Sequence, residues 1–420
     1  MLKSAPPVRD LVLVGGGHSH VQVLKSFGMR PLAGVRVTII SREVRTPYSG
    51  MLPGHVAGLY DADALHIDLG RLSVFADARL IADEVAGLDT NAKRLSLIGR
   101  PDLHYDLLSV NSGAVPTLPW QTAQPLECSS TVIPVKPISQ FLPRWHALTR
   151  AVRVGETVVI VGGGAGGVEL ALAARRTLPN TVNLTLLTDS LLSGHSSGVR
   201  ERLLRALTAA GIEVHTGVKV SGFSSKQLRC VDGKTFTADW VLLVTGVGAP
   251  DWPRDAGLAT DERGFIQVDG CLRSLSHPEV FAAGDVAELQ GQPRPKAGVF
   301  AVREGPVLDV NLRRAILGKP GRRFRAQRGF LTIMGTGDGG AVAGRGAIAV
   351  EGRWVWRWKD WIDRRFMARF NHLPAMPETQ WKLPAALAEE APDAMRCGGC
   401  GAKLGANPLL RVLERLPPQH

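Results

Sequence analysis

Residues 157–169 read Thr-Val-Val-Ile-Val-Gly-Gly-Gly-Ala-Gly-Gly-Val-Glu. Five β-branched residues make a strand, the glycines end it, and an alanine-rich stretch then starts a helix. Gly162, Gly164 and Gly167 stand at the three positions of Gly-x-Gly-x-x-Gly, with Gly166 inside the same turn. The first glycine permits the tight turn, the second lets backbone approach a pyrophosphate, and the third lets helix and strand pack closely. The helix start then presents free N–H groups and a positive dipole end to phosphate. A further strand, Val182 to Leu187, ends at Thr188-Asp189. Asp189 lies about 20 residues past the glycines, where a carboxylate is expected to meet a ribose. The residues after it, Ser190-Leu191-Leu192-Ser193, hold no Arg pair to clamp a 2′-phosphate, which favours NADH over NADPH.

Nearer the N-terminus, residues 11–20 read Leu-Val-Leu-Val-Gly-Gly-Gly-His-Ser-His. The same turn is expected here, with Gly15, Gly16, Gly17 and His18 at the nucleotide. The third glycine is replaced by His20, which predicts a slightly wider approach of helix to strand. The next strand, Val35 to Ile40, leads into Ser41-Arg42-Glu43. Ser41 holds the place of the ribose-binding acid, and Glu43, two residues late, is the ribose candidate. One imperfect turn can be only a turn. Two such turns suit an enzyme needing a pocket for each of two nucleotides, the alternative being a duplicated α/β fold with no cofactor.

Toward the C-terminus, residues 278–286 read Pro-Glu-Val-Phe-Ala-Ala-Gly-Asp-Val, and two other strands run into Gly113 and Gly246. The order glycine turn, strand-Gly113, glycine turn, strand-Gly246, Ala-Gly-Asp resembles the two-dinucleotide-binding-domain flavoproteins. These include pyridine nucleotide-disulfide oxidoreductases, sulfide:quinone reductases and type II NADH dehydrogenases. The resemblance covers roughly residues 8–370. It implies FAD in the first site and NADH in the second, with hydride passing from nicotinamide to flavin between rings held about 3–3.5 Å apart. It also implies that Gly284 and Asp285 hold the ribityl and pyrophosphate groups. Lys296 and Ala297 would begin the helix beside the isoalloxazine, and Glu169 would lie near the nicotinamide. Val85 is counted with the FAD-binding residues. Lys296 is either a stabiliser of negative charge on the reduced ring or a surface lysine.

The expected fold class is α/β, with two Rossmann-like three-layer domains for FAD and NAD(P) and a small C-terminal α+β domain. The expected boundaries are 1–125 and 266–322 for the FAD domain, 126–265 for the NAD(P)H domain, 323–383 for the C-terminal domain, and 384–420 for a linker and stub.

Cysteine usage narrows the chemistry. Disulfide reductases of this group carry a Cys pair where this chain has Tyr48-Ser49-Gly50-Met51-Leu52-Pro53. Thiolate exchange needs that sulfur, so disulfide reduction is not expected. Sulfide:quinone reductases need a late cysteine, and none lies between Cys271 and Cys397. Cys128, Cys230 and Cys271 read as small buried residues. The remaining pattern resembles type II NADH dehydrogenase, with a quinone or another small molecule as electron acceptor and no metal.

The net charge of +12 is uneven: twelve Lys and Arg fall between Lys319 and Phe370 against four Asp and Glu. Residues 353–370 read as a basic helix, with Trp358, Trp361, Ile362, Phe366 and Phe370 on one face and Arg357, Lys359, Arg364 and Asp360 or Asp363 away from it. Such a helix suits a membrane surface, or else caps the flavin domain or forms a homodimer contact. No nucleic-acid motif accompanies the charge. There is no secretory signal and no apolar stretch of about 18 residues, so the expected location is cytoplasmic, or peripheral to the inner face of the cell membrane.

The tail holds Cys397-Gly398-Gly399-Cys400-Gly401-Ala402-Lys403. One CxxC is half a zinc site at best. Cys400 and Lys403 match the spacing in the active motif of selenide, water dikinase (selenophosphate synthetase), and the preceding flavoprotein resembles the part known to be fused to that kinase. The given residues hold no ATP-binding body, so selenophosphate synthesis is not expected of them. A redox or regulatory module serving an attached selenophosphate synthetase is the alternative function.

Overall fold

A computed structural model describes residues 8–117, 130–327, 329–376 and 383–388. Two five-stranded parallel sheets dominate it. The first orders its strands Val280–Ala282, Leu107–Val110, Arg9–Val14, Val35–Ser41 and Arg79–Ala82. Its central strand, Leu-Val-Leu-Val, is covered on both faces and buried throughout, as a parallel sheet demands. The second orders Val132–Pro134, Trp240–Leu243, Thr157–Val161, Asn183–Leu187 and Glu213–His215. The first sheet is completed by a strand from beyond the second, so the chain leaves it and comes back.

Four helices position the site. α1 (His18–Met29) and α2 (Ala165–Thr177) follow the two glycine turns. α3 (Gly298–Ile316) packs tightly on α1, where a Cβ on Gly305 would come within 2.8 Å of Gln22. α4 (Arg353–Asn371) follows an antiparallel three-stranded sheet, Thr332–Gly335, Ala341–Arg345 and Ile348–Gly352. These elements are the α+β part expected at the C-terminal end. A short turn, Ala385–Ala388, packs Leu387 beside Gly34 and Val8 at the start of the first sheet.

α4 corrects the expected helical faces. Its buried stripe is Val355, Lys359, Asp363, Met367 and Phe370. Trp358 and Trp361 are exposed, alongside Arg353, Trp354, Arg357, Arg364 and Arg365. Tryptophan therefore shares a face with arginine, and Lys359 and Asp363 point inward. The reason is mutual neutralisation: Lys359 Nζ lies 2.7 Å from Asp363 Oδ2 one turn along the helix, which allows both charges to be buried.

Candidate active site

The first glycine turn opens on a cavity of about 330 Å³. Its lining includes Gly15, Gly16, Gly17, His18, Ser41, Arg42, Glu43, Val85, Gly113 and Asp285. The turn depends on glycine: Gly15 has φ +95°, and a Cβ there would stand 2.5 Å from the Asn111 carbonyl oxygen. No acidic side chain sits in the first turn of α1, so its positive end is left for a ligand. Gly284, also in the left-handed region at φ +74°, delivers Asp285 to the far side. Backbone N–H groups, the carboxylates of Asp285 and Glu43 and an open helix terminus meet in one cavity, a set of groups that fits a dinucleotide such as FAD.

Among the lining residues that sequence reading missed, two tie the cavity together. Asn111 is buried, accepts at Oδ1 from the Ser19 N–H (3.1 Å) and the His20 N–H (3.3 Å), and donates Nδ2 to the Ala283 carbonyl (2.6 Å). It ties the first glycine turn to the Ala-Gly-Asp turn. Lys136, two residues past the end of the strand Val132–Pro134, pairs with Asp285 at 2.9 Å. Neither belongs to a recognisable motif; each acts through a partner distant in sequence. His20, in the place of the third glycine, is buried, with Nδ1 on the Gly15 carbonyl (2.7 Å) and Nε2 on Ser109 Oγ (2.8 Å). A carbonyl only accepts, so Nδ1 carries the proton and Ser109 donates to Nε2. The imidazole braces the turn rather than merely separating helix from strand, and burial lowers its pKa to about 4.

The second turn opens on a larger cleft of about 1710 Å³. Gly164, Gly166 and Glu169 line it, as do Lys296, Ala297, Tyr48, Lys359 and Asp363. Gly162 and Gly167 shape the turn from behind, and a Cβ on Gly167 would collide with the Gly162 carbonyl oxygen. Asp189 lies outside the lining, 3.5 Å from Lys219, a cation that the sequence reading did not place there. Gly246 lies outside the lining of both cavities; its carbonyl accepts from Thr117 Oγ1 at 2.6 Å.

The inner wall of this cleft is ionisable. Glu169 Oε1 accepts the Gly335 N–H at 2.7 Å, and burial pushes the carboxyl up to about 7, against the opposing charge of Lys359. Lys359 donates to Asp363 and to the Gly50 carbonyl, each at 2.7 Å. Burial alone would lower the Lys359 pKa, but the carboxylates of Glu169 and Asp363 outweigh it and hold the ammonium above the usual lysine range. Tyr48 and Asp363 both line this cleft, and Tyr48 meets the His18 ring edge-on with centroids 5.3 Å apart, joining the cleft wall to the first cavity.

Lys296 is not the surface lysine of one expectation: its side chain is almost wholly covered where it lines the cleft. Its ammonium donates to Glu288 (2.7 Å) and to the Ala287 carbonyl (2.7 Å), and lies 3.9 Å from the centre of the Phe265 ring. It is neither a surface lysine nor a free charge. The Tyr48–Pro53 segment is a short 3₁₀ turn leading into a helix and contains no thiol. Cys230 is free and buried, and Cys271 is free and half-buried. Cys128, Cys397, Cys400 and Lys403, with the likeness to selenide, water dikinase, lie outside the described residues.

Residues 9–305 match the family model described as pyridine nucleotide-disulphide oxidoreductase. The chain belongs to this family. Over 245 residues it is 29% identical to an NADH dehydrogenase-like protein of Mycobacterium tuberculosis, a match covering 54% of this chain and 60% of that relative. It is 22% identical over 348 residues to ferroptosis suppressor protein 1 of Xenopus tropicalis, covering 78% and 87% of the two chains. Among solved structures, the sulfide:quinone oxidoreductase of Aquifex aeolicus shares the fold with a TM-score of 0.71 at 17% identity, over 87% of this chain and 92% of that one.

Proposed function

We propose that this oxidoreductase takes a hydride from NADH and delivers the electrons to a quinone. The observation that carries this reading is the wall formed by Glu169, Lys359, Asp363 and Tyr48 in the cleft beside the second glycine turn. FAD supplies the two-electron link between nicotinamide and acceptor when bound. An acceptor that gains protons along with electrons needs a proton source in the dry part of the site. Glu169, poised near neutral pH, can hold or release one, and Lys359 offers a fixed positive charge to a reduced carbonyl oxygen. Gly15–Gly17 and Asp285 would hold FAD, and Gly164 and Gly166 the nicotinamide nucleotide's phosphates.

The exposed Arg and Trp residues of α4 support docking on an anionic lipid surface, where a lipid-soluble quinone is found. No helix among the described residues is long and apolar enough to cross a membrane.

The test is anaerobic mixing of the FAD-loaded protein with NADH, followed by a soluble quinone. Loss of flavin absorbance and its return with quinone is the expected result. A flavin that NADH leaves oxidised would sink the dehydrogenase reading, and one reoxidised by a ferredoxin but not by quinone would replace the acceptor.

A further inference from the structure

Glu304 of α3 is fully buried, with a carboxylate divided between two partners. Oε2 accepts the Gly284 N–H at 2.6 Å, and Oε1 accepts Arg294 Nη2 at 2.6 Å. The Arg294 side chain is only 4% exposed. It rises from Gly291–Ala297, a segment lining the second cleft, between Pro293 and Pro295, which restrict its backbone. The Gly284 turn belongs to the other site: it delivers Asp285 to the first cavity and is wedged against Asn111, with Nδ2 2.5 Å from where a Cβ on Gly284 would be. Removing either charge of a buried pair strands the other in a medium that cannot solvate it, so the two ends are held together strongly.

We propose that Glu304 and Arg294 are positioning residues that fix the flavin-holding turn to the wall of the donor and acceptor cleft, so that FAD affinity depends on a residue outside the FAD cavity. This rests on the reading that the first cavity holds FAD. Arg294 is absent from that cavity's lining, so an effect on FAD binding exerted through the Gly284 turn must run through Glu304 and must disappear as a separate loss once Glu304 is replaced.

The test is a double-mutant cycle of Glu304→Gln, Arg294→Met and the pair together, with FAD affinity of the stripped protein read by flavin fluorescence and folding checked by circular dichroism. Arg294→Met should weaken FAD binding at least tenfold. The double variant, which strands no charge, should bind at least tenfold more tightly than the product of the single losses predicts. Arg294→Lys, which keeps the charge but loses the fork, should fall between wild type and Arg294→Met, and it carries the test if Arg294→Met fails to fold. FAD affinity within twofold of wild type in the folded Arg294 variant, or single losses that simply multiply in the double, would overturn the coupling while leaving FAD binding by wild type intact. A wild-type protein that takes up no FAD would instead overturn the cavity's reading, and the coupling with it.

Discussion

Glu169 combines a backbone hydrogen bond with an environment that resists its ionisation. Its folded pKa, near 7, lies above the ordinary value of 4.5. Protonation therefore favours the folded state. The contribution is fully present below about pH 4.5 and is lost as pH rises toward 7. Glu169→Gln should thus gain thermal stability relative to wild type as pH climbs from 5 to 8, by up to about 3 kcal/mol. A melting-temperature difference that is flat across that range would refute the shifted pKa. For Lys296, loss of the ion pair to Glu288 is expected to dominate. Lys296→Met should destabilise the fold by about 3 kcal/mol while leaving flavin reduction by NADH within a few-fold of wild type. Chemical denaturation and stopped-flow absorbance together check both halves. The placement of Gly15–Gly17, Gly164, Gly166 and Asp285 on the two cavities was legible because it follows from local backbone geometry. Asn111, Lys136 and Glu304 were not, because each acts through a contact far away in sequence.

At the scale of elements, the two glycines of the second turn separate folding from binding. A Cβ on Gly167 would strike the Gly162 carbonyl, whereas nothing lies within 4 Å of one on Gly164. Gly167→Ala should therefore lower the melting temperature by several degrees. Gly164→Ala should fold normally and raise the KM for NADH at least tenfold, because only the bound pyrophosphate meets the new methyl. Steady-state kinetics and a thermal scan distinguish the two, and an unchanged KM in Gly164→Ala would remove the phosphate from that turn. Both parallel sheets could be read from apolar runs that end in glycine. α4 could be recognised as a helix, but its orientation was misread. Ranking residues by hydrophobicity puts tryptophan inside and charge outside, whereas the inward stripe contains a lysine and an aspartate that neutralise each other.

At the scale of the whole molecule, the arginine excess and the exposed tryptophans coincide on one helix. The protein should co-sediment with anionic vesicles at low salt and much less with neutral ones. Trp358→Ser with Trp361→Ser should reduce that binding at least fivefold without altering NADH-dependent flavin reduction in solution. Retention of the double variant on vesicles would assign the tryptophans elsewhere.

Leu387 is anchored at Gly34 and Val8, where the strands of the first sheet begin, whereas both glycine turns lie where strands end. That contact therefore clamps the last described turn to the end of the first sheet remote from its glycine turn, and it obstructs the mouth of neither cavity.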